Sequence, residues 1–200
     1  MRSIQPTGAI RIAAILGTTR PGNYTQKALA LVLAELKHHG DVHVDVIDPR
    51  DLSLAFPGST PSDGSVQKLE NTIRHASGVI VATPEYHGTY PAILKLILEN
   101  LGFPSVLSGK PVALLGVAAG QIGAIKSLEH LRSVLSHIGA IVLPGPVSVA
   151  RVQTVFDADG RCTNSKIERS VRSVATTLTE YIRDAACPDI ALEEVLRSEP

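Results

Sequence analysis

Charge of either sign is not in excess in this sequence: its 200 residues carry 19 lysines and arginines against 19 aspartates and glutamates, a formal net charge of zero. Binding along a nucleic-acid duplex is driven by clustered basic side chains, so no nucleic-acid partner is expected. Long apolar runs are missing too. None approaches the ~20 residues that span a bilayer, and no membrane partner is expected. The apolar stretch near the start is broken by Pro6 and Arg11 and is too short to be read as a secretory signal. Without such a signal, the sequon Asn23-Tyr24-Thr25 is read as chance. Cysteine is scarce: Cys162 and Cys187 form neither a CxxC pair nor a Cys/His ligand spacing. That argues against a disulfide framework and suggests a reducing, cytoplasmic setting. His130 and His137 have no carboxylate or cysteine at ligand spacing, so no metal site is expected. Tryptophan is absent, and there are only four tyrosines and three phenylalanines. Any clustering of aromatics is therefore informative.

What the chain does have is apolar matter in strand-length runs. Apolar residues make up 44% of it, enough for a full core, with no low-complexity tract and no internal repeat. Residues 11–16, 42–47, 78–82, 112–117 and 141–143 with 147–149 read as strands. Most are continuously apolar, as expected when helices cover both faces of a parallel sheet. Only 42–47 alternates, which places it nearer an edge. Between the strands, 25–39, 66–75, 91–101, 122–138 and 166–184 carry apolar residues at helical spacing. Pro91 suits a first helical turn, and the last helix is expected to end before Pro188. His38 and His39, at the end of the first helix, are expected to be solvated. The alternation predicts one α/β domain over residues 1–200, a three-layer α/β/α sandwich around a five-stranded parallel sheet with right-handed crossovers. Residues 1–8 and 185–200 read as tails. In such a sheet, ligands bind beyond the carboxyl ends of the strands where strand order reverses. The loops after strands one, three and four are therefore the ones to read.

The first of these, Gly17 to Gln26, offers two glycines, three threonine hydroxyls, Arg20 and a helix start. Amides at a helix N-terminus lack internal partners and the helix dipole favours an anion there, so the loop is a candidate anion cradle. Arg20 would supply charge, with Thr18 and Thr25 donating hydroxyl hydrogen bonds. Gly17 and Gly22 have P-loop spacing, but Asn23-Tyr24 stands where the lysine and Ser/Thr belong, which argues against an NTPase. Nor is there the G-x-G-x-x-G of a dinucleotide site. A single terminal phosphate fits the loop better; an ordinary capped turn is the bland alternative. The loop after strand three, Thr83-Pro84-Glu85-Tyr86-His87-Gly88-Thr89-Tyr90-Pro91, is stiffened by proline at both ends and holds two of the tyrosines. Rigid amides beside an aromatic wall suit a planar heteroaromatic ligand.

Here the chain resembles the NAD(P)H-dependent FMN reductases of the flavodoxin-like superfamily, which include flavin, quinone, azo and chromate reductases. Their first loop reads G-S-x-R-x-x-S-x-N and their strand-three loop P-E-Y-N-G-S-x-P followed by L-K. This chain has GTTRPGNYT and PEYHGTYPAILK, and Leu131 to Ala140 is similar to the family's L-R-x-V-L-x-x-x-G-A. The resemblance covers residues 10–183 and implies a flavodoxin-like fold. It implies that Thr18, Arg20, Asn23, Thr25 and Gln26, with Tyr24 among them, bind the FMN phosphate. Thr18, Asn23 and Thr25 depart from the family's residues, yet each keeps a hydrogen-bonding side chain. It further implies that Pro84, Glu85, Tyr86, His87 and Gly88 face the flavin ring. His87 stands for the family's asparagine, and either its imidazole or only its backbone amide serves the ring. Ala119 and Gly120, after strand four, correspond to a glycine-rich loop near the flavin.

The resemblance implies hydride transfer from NAD(P)H to FMN with no side-chain acid or base, so no catalytic residue is named. Reduced flavin would pass to a monooxygenase or to a small acceptor such as a quinone, azo dye or metal oxyanion. A non-enzymatic flavodoxin-like electron carrier is the competing class; such carriers tend to be acidic, and this chain is not. A scaffold without redox chemistry is a third. Finally, residues 91–101 place Ile93, Leu94, Leu96, Ile97, Leu98 and Leu101 around more of a helix than one buried stripe needs. A homodimer, or a homotetramer built from it, is expected.

Overall fold

The computed structural model describes residues 10–59 and 63–197, with side chains described as far as Asp184. Six parallel strand segments, β1 (Ile10–Leu16), β2 (Val42–Ile47), β3 (Gly78–Pro84), β4 (Pro111–Val117), β5 (Ile141–Val142) and β6 (Val147–Val149), alternate with helices. These are α1 (Tyr24–Leu36), α2 (Ser65–His75), α3 (Ala92–Glu99), α4 (Ile125–His137) and α5 (Ser165–Arg197). The sheet order is β2-β1-β3-β4-β5, and β6 also pairs with β4. This is the flavodoxin-like order, with its switch point between β1 and β3.

The apolar pattern explains the layers. Every residue of β3 is buried, because alternate side chains enter different cores. Ile12, Ala14, Leu16, Ile80 and Ala82 pack with α1 and α5, and Ala13, Ile15, Val79 and Val81 with α2, α3 and α4. β2 lies at the edge, as its alternation predicts, and most of it is only half-buried or exposed. The expected fifth strand is two short segments in register with the two ends of β4. Pro144 and Pro146, which lack an amide donor, fall between them and interrupt the ladder.

Three element ends depart clearly from the sequence reading. α1 stops at Leu36 rather than 39, because the amides of His38 and His39 bond to the carbonyls of Glu35 and Leu36 in a tightened turn. His38 is exposed as expected, but His39 turns inward, and its Nε2 is buried without a partner. α4 starts at Ile125 rather than 122: Gly123 takes a left-handed φ of 82°, and the Ala124 amide donates to Ser148 Oγ at 2.9 Å. Where a tail was expected from 185, α5 runs on through Pro188 to Arg197. A proline removes one helical hydrogen bond and tends to kink a helix without always ending it. The tail expected over 1–8 lies outside the described residues. Among the described residues no helix is long and apolar enough to cross a membrane.

α4 sits close on β4 because Gly116 has no side chain: a Cβ there would lie 2.7 Å from Ala124 Cβ and 2.9 Å from Leu128 Cγ. Gly116→Ala should therefore destabilise the protein by about 1–3 kcal/mol through overpacking, measured by urea unfolding.

Candidate functional site

The loops after β1, β3 and β4 meet at the carboxyl edge of the sheet. In the first, Asn23 has extended backbone (φ −75°, ψ 152°) and caps α1. Its Oδ1 accepts from the Gln26 amide at 2.6 Å, and its Nδ2 donates to the Arg20 carbonyl at 2.6 Å. The amides of Tyr24 and Thr25, in the same first turn, have no intrahelical acceptor. No acidic residue stands in that turn to neutralise the positive end of the helix. Thr25 is 1% exposed, and its Oγ1 has no hydrogen-bond partner. A buried, unpaired hydroxyl costs about 1–3 kcal/mol, which a ligand oxygen in reach would offset. The loop thus fits a terminal phosphate. Beside it the Tyr24 ring packs on Phe156, centroids 6.3 Å apart, with Lys27 Nζ 5.1 Å from the Tyr24 centroid.

In the third-strand loop, Tyr86 and Thr89 exchange amide–carbonyl bonds of 2.9 and 3.1 Å around His87 and Gly88. Both central residues have positive φ, 52° and 76°, which makes this a type I′ turn. Asparagine and histidine tolerate that conformation better than most side chains. His87 is exposed and does not line the cavity described below. The Glu85 carboxylate accepts from the Ser127 amide at 3.1 Å and caps the start of α4, where Ala124 offers no side-chain cap. The Tyr86 hydroxyl lies 3.2 Å from Thr18 Oγ1, which also accepts from the Arg20 amide at 3.2 Å. Burial raises the pKa of the nearby Tyr90 phenol above its ordinary value, so it stays neutral at physiological pH.

These loops enclose a cavity of about 510 Å³, within the roughly 300–1,000 Å³ typical of small-molecule sites. The first loop lines it with Arg20, Asn23, Tyr24 and Thr25, the third-strand loop with Pro84, Glu85 and Tyr86, and the fourth-strand loop with Ala119. Five expected residues do not line it. Thr18 is buried with its hydroxyl shared between Tyr86 and Arg20, and the exposed Gln26 contributes an amide to the cap. His87 and Gly88 shape the turn. Gly120 is exposed, with nothing within 4 Å of an added Cβ; its carbonyl accepts from Arg151 and Gly123. Other lining residues were not expected. Pro21, Gly22, Val117 and Ala118 adjoin expected ones, whereas Val152 reaches the wall from a distant loop. Among the described residues no three His, Cys, Asp or Glu side chains gather as a metal site would require.

Residues 10–154 match the family described as NADPH-dependent FMN reductase. The chain is 29% identical over 188 residues to an NAD(P)H-dependent FMN reductase of Pseudomonas aeruginosa, covering 87% of this chain and 96% of that protein. It is 27% identical over 181 residues to a 2-hydroxy-1,4-benzoquinone reductase of Burkholderia sp., covering 88% and 98%. Among solved structures, it is similar to FerB, a flavoenzyme NAD(P)H:(acceptor) oxidoreductase of Paracoccus denitrificans, with a TM-score of 0.73 and 23% identity over 88% of this chain and 98% of that one. That last likeness speaks to the fold.

If position 87 acts through its backbone, His87→Asn should leave unfolding stability unchanged. His87→Val, branched at a left-handed φ, should lose about 1–2 kcal/mol. Chemical denaturation of both variants checks this.

Proposed function

We propose, from the premise that the chain belongs to the NADPH-dependent FMN reductase family over residues 10–154, that the cleft holds FMN and serves transfer of reducing equivalents from NAD(P)H to an acceptor. When bound, FMN supplies the capacity to take a hydride from a reduced nicotinamide and yield it to a second substrate. The protein's part is binding and placement. The free first-turn amides of α1 and the Thr25 hydroxyl hold the phosphate, while Asn23 fixes that turn. Pro84, Glu85 and Tyr86 on one side, with Val117, Ala118 and Ala119 on the other, keep water from the ring, and Val152 closes the flank. No residue is assigned a proton-transfer role. The observation that carries this reading is the buried Thr25 hydroxyl, unpaired among the described residues, in a residue that lines the same cavity as Pro84, Glu85 and Tyr86.

The reduced flavin passes to a monooxygenase or to a small acceptor, and the similarity to a benzoquinone reductase supports a quinone. A cytoplasmic location agrees with the cysteine usage. The working form is a homodimer, which can pair into a tetramer. Leu96 on α3 is only half-buried, and the exposed Phe56 and Phe103 lie on loops joined by Asn100, whose side-chain amide exchanges bonds of 3.3 and 2.9 Å with Ala55.

NADPH oxidation should depend on FMN. Thr25→Val should raise the stability of the ligand-free protein by about 1 kcal/mol, since it removes an unsatisfied hydroxyl. The same change should weaken FMN about tenfold, the loss of one hydrogen bond to a charged group. Riboflavin, which lacks the phosphate, should be unaffected; equal loss of both ligands would refute the loop assignment. Light scattering at micromolar concentration should give at least the dimer mass, and Phe103→Asp should shift it toward the monomer.

A further inference from the structure

The third-strand loop is fastened to α4 through one residue. Two hydroxyls converge on the carbonyl of Pro84, the last residue of β3: Thr83 Oγ1 donates to it at 2.9 Å and Ser127 Oγ at 3.2 Å. Both side chains are fully buried. At the next position, the Glu85 amide donates to the Val117 carbonyl at 3.0 Å, and Glu85 Oε2 accepts from the Ser127 amide at 3.1 Å. Ser127 thus grips two consecutive residues of the cavity wall, one with its hydroxyl and one with its main chain. The helix alone does not call for a serine there. Alanine is the better helix former, and a buried hydroxyl costs free energy unless it is bonded. The bond that this hydroxyl makes is to β3, 43 residues away in sequence.

Glu85 meets α4 where that helix has no acid of its own. Its first turn carries Lys126 and no acidic residue, and Ala124 gives no side-chain cap. A carboxylate from another loop therefore faces the positive end of the helix. Glu85 is also the only acidic side chain among the described residues that line the cavity. A hydride brings one negative charge to the ring system that takes it up. A carboxylate fixed in the wall opposes that charge, the more so where water is excluded. We propose that Ser127 is a positioning residue for the reaction: it holds the Glu85 carboxylate in the wall, and through that charge it lowers the midpoint potential of bound FMN. The reduced cofactor then yields its hydride more readily to an acceptor. Ser127 does not itself line the cavity; it acts through Glu85. This deepens the reductase reading of the cleft and rests on it.

The first measurement needs no cofactor. In the FMN-free protein, hydrogen exchange followed by NMR should find the Ser127 amide protected, and Glu85→Ala should speed its exchange at least tenfold. Equal exchange in the two proteins would overturn the clamp. With FMN bound, spectroelectrochemistry reads the potential. Glu85→Gln should move the ratio of reduced to oxidised flavin about tenfold toward reduced at a fixed potential, ~30 mV for a two-electron couple. Ser127→Ala should give part of that shift in the same direction. In the double variant it should add nothing, because the charge it positions is gone. Full additivity of the two shifts would make Ser127 a packing residue and overturn the proposal. Ser127→Ala should also weaken FMN and riboflavin alike, about fivefold, the loss of one hydrogen bond behind the ring. A loss confined to FMN would put the effect at the phosphate and overturn the proposal as well. An unshifted potential in a Glu85→Gln protein that binds FMN would refute the proposal alone. Failure of the wild-type protein to bind either flavin would refute the reductase reading, and the proposal with it.

Discussion

The ladder between β1 and β3 has one rung more than the strands themselves. Beyond the Leu16–Ala82 pair, the amide of Gly17 donates to the carbonyl of Ala82 at 2.7 Å. A Cβ at residue 17 would sit 2.8 Å from that same oxygen, so only glycine lets the backbones stay this close. The rung holds the first loop against the third as the two strands leave the sheet. Without it, Thr18 and Tyr86 would not come within hydrogen-bond distance, and the Asn23 turn would not share a cavity with Pro84. The switch point of the fold thus becomes a site through one main-chain contact.

From there, most polar groups in the loops are spent on one another. Asn23 holds the first loop, Glu85 holds the start of α4, and the paired amides and carbonyls of Tyr86 and Thr89 hold the turn. Side chains fixed in this way are preorganised, and what they leave free is informative. In the first loop it is the Thr25 hydroxyl, which among the described residues has no hydrogen-bond partner.

Much of this architecture was legible in the sequence, for a physical reason. A strand covered on both faces must be apolar throughout, so β1, β3 and β4 stand out as unbroken runs, and edge strand β2 stands out by alternating. Turn chemistry was legible too, since glycine and proline mark where the backbone is unusual. What could not be read was pairing at a distance. Nothing near Glu85 announces that its partner is the amide of Ser127, or that Val152 closes the cleft. Thr18 read as a free donor because its competitor, the Tyr86 hydroxyl, is 68 residues away. Pro188 was read by its usual effect on helices, and here the helix α5 passes through it.

The interruption between β5 and β6 bears on how copies of this chain can meet. An open sheet normally offers a continuous row of main-chain donors and acceptors on its outermost strand, onto which another chain's strand can zip. Here that row is severed by Pro144 and Pro146 into pieces of two and three residues, too short to template a neighbour. Growth of the sheet across molecules is blocked on that side, so contacts there must be made by side chains rather than by extending the strand ladder.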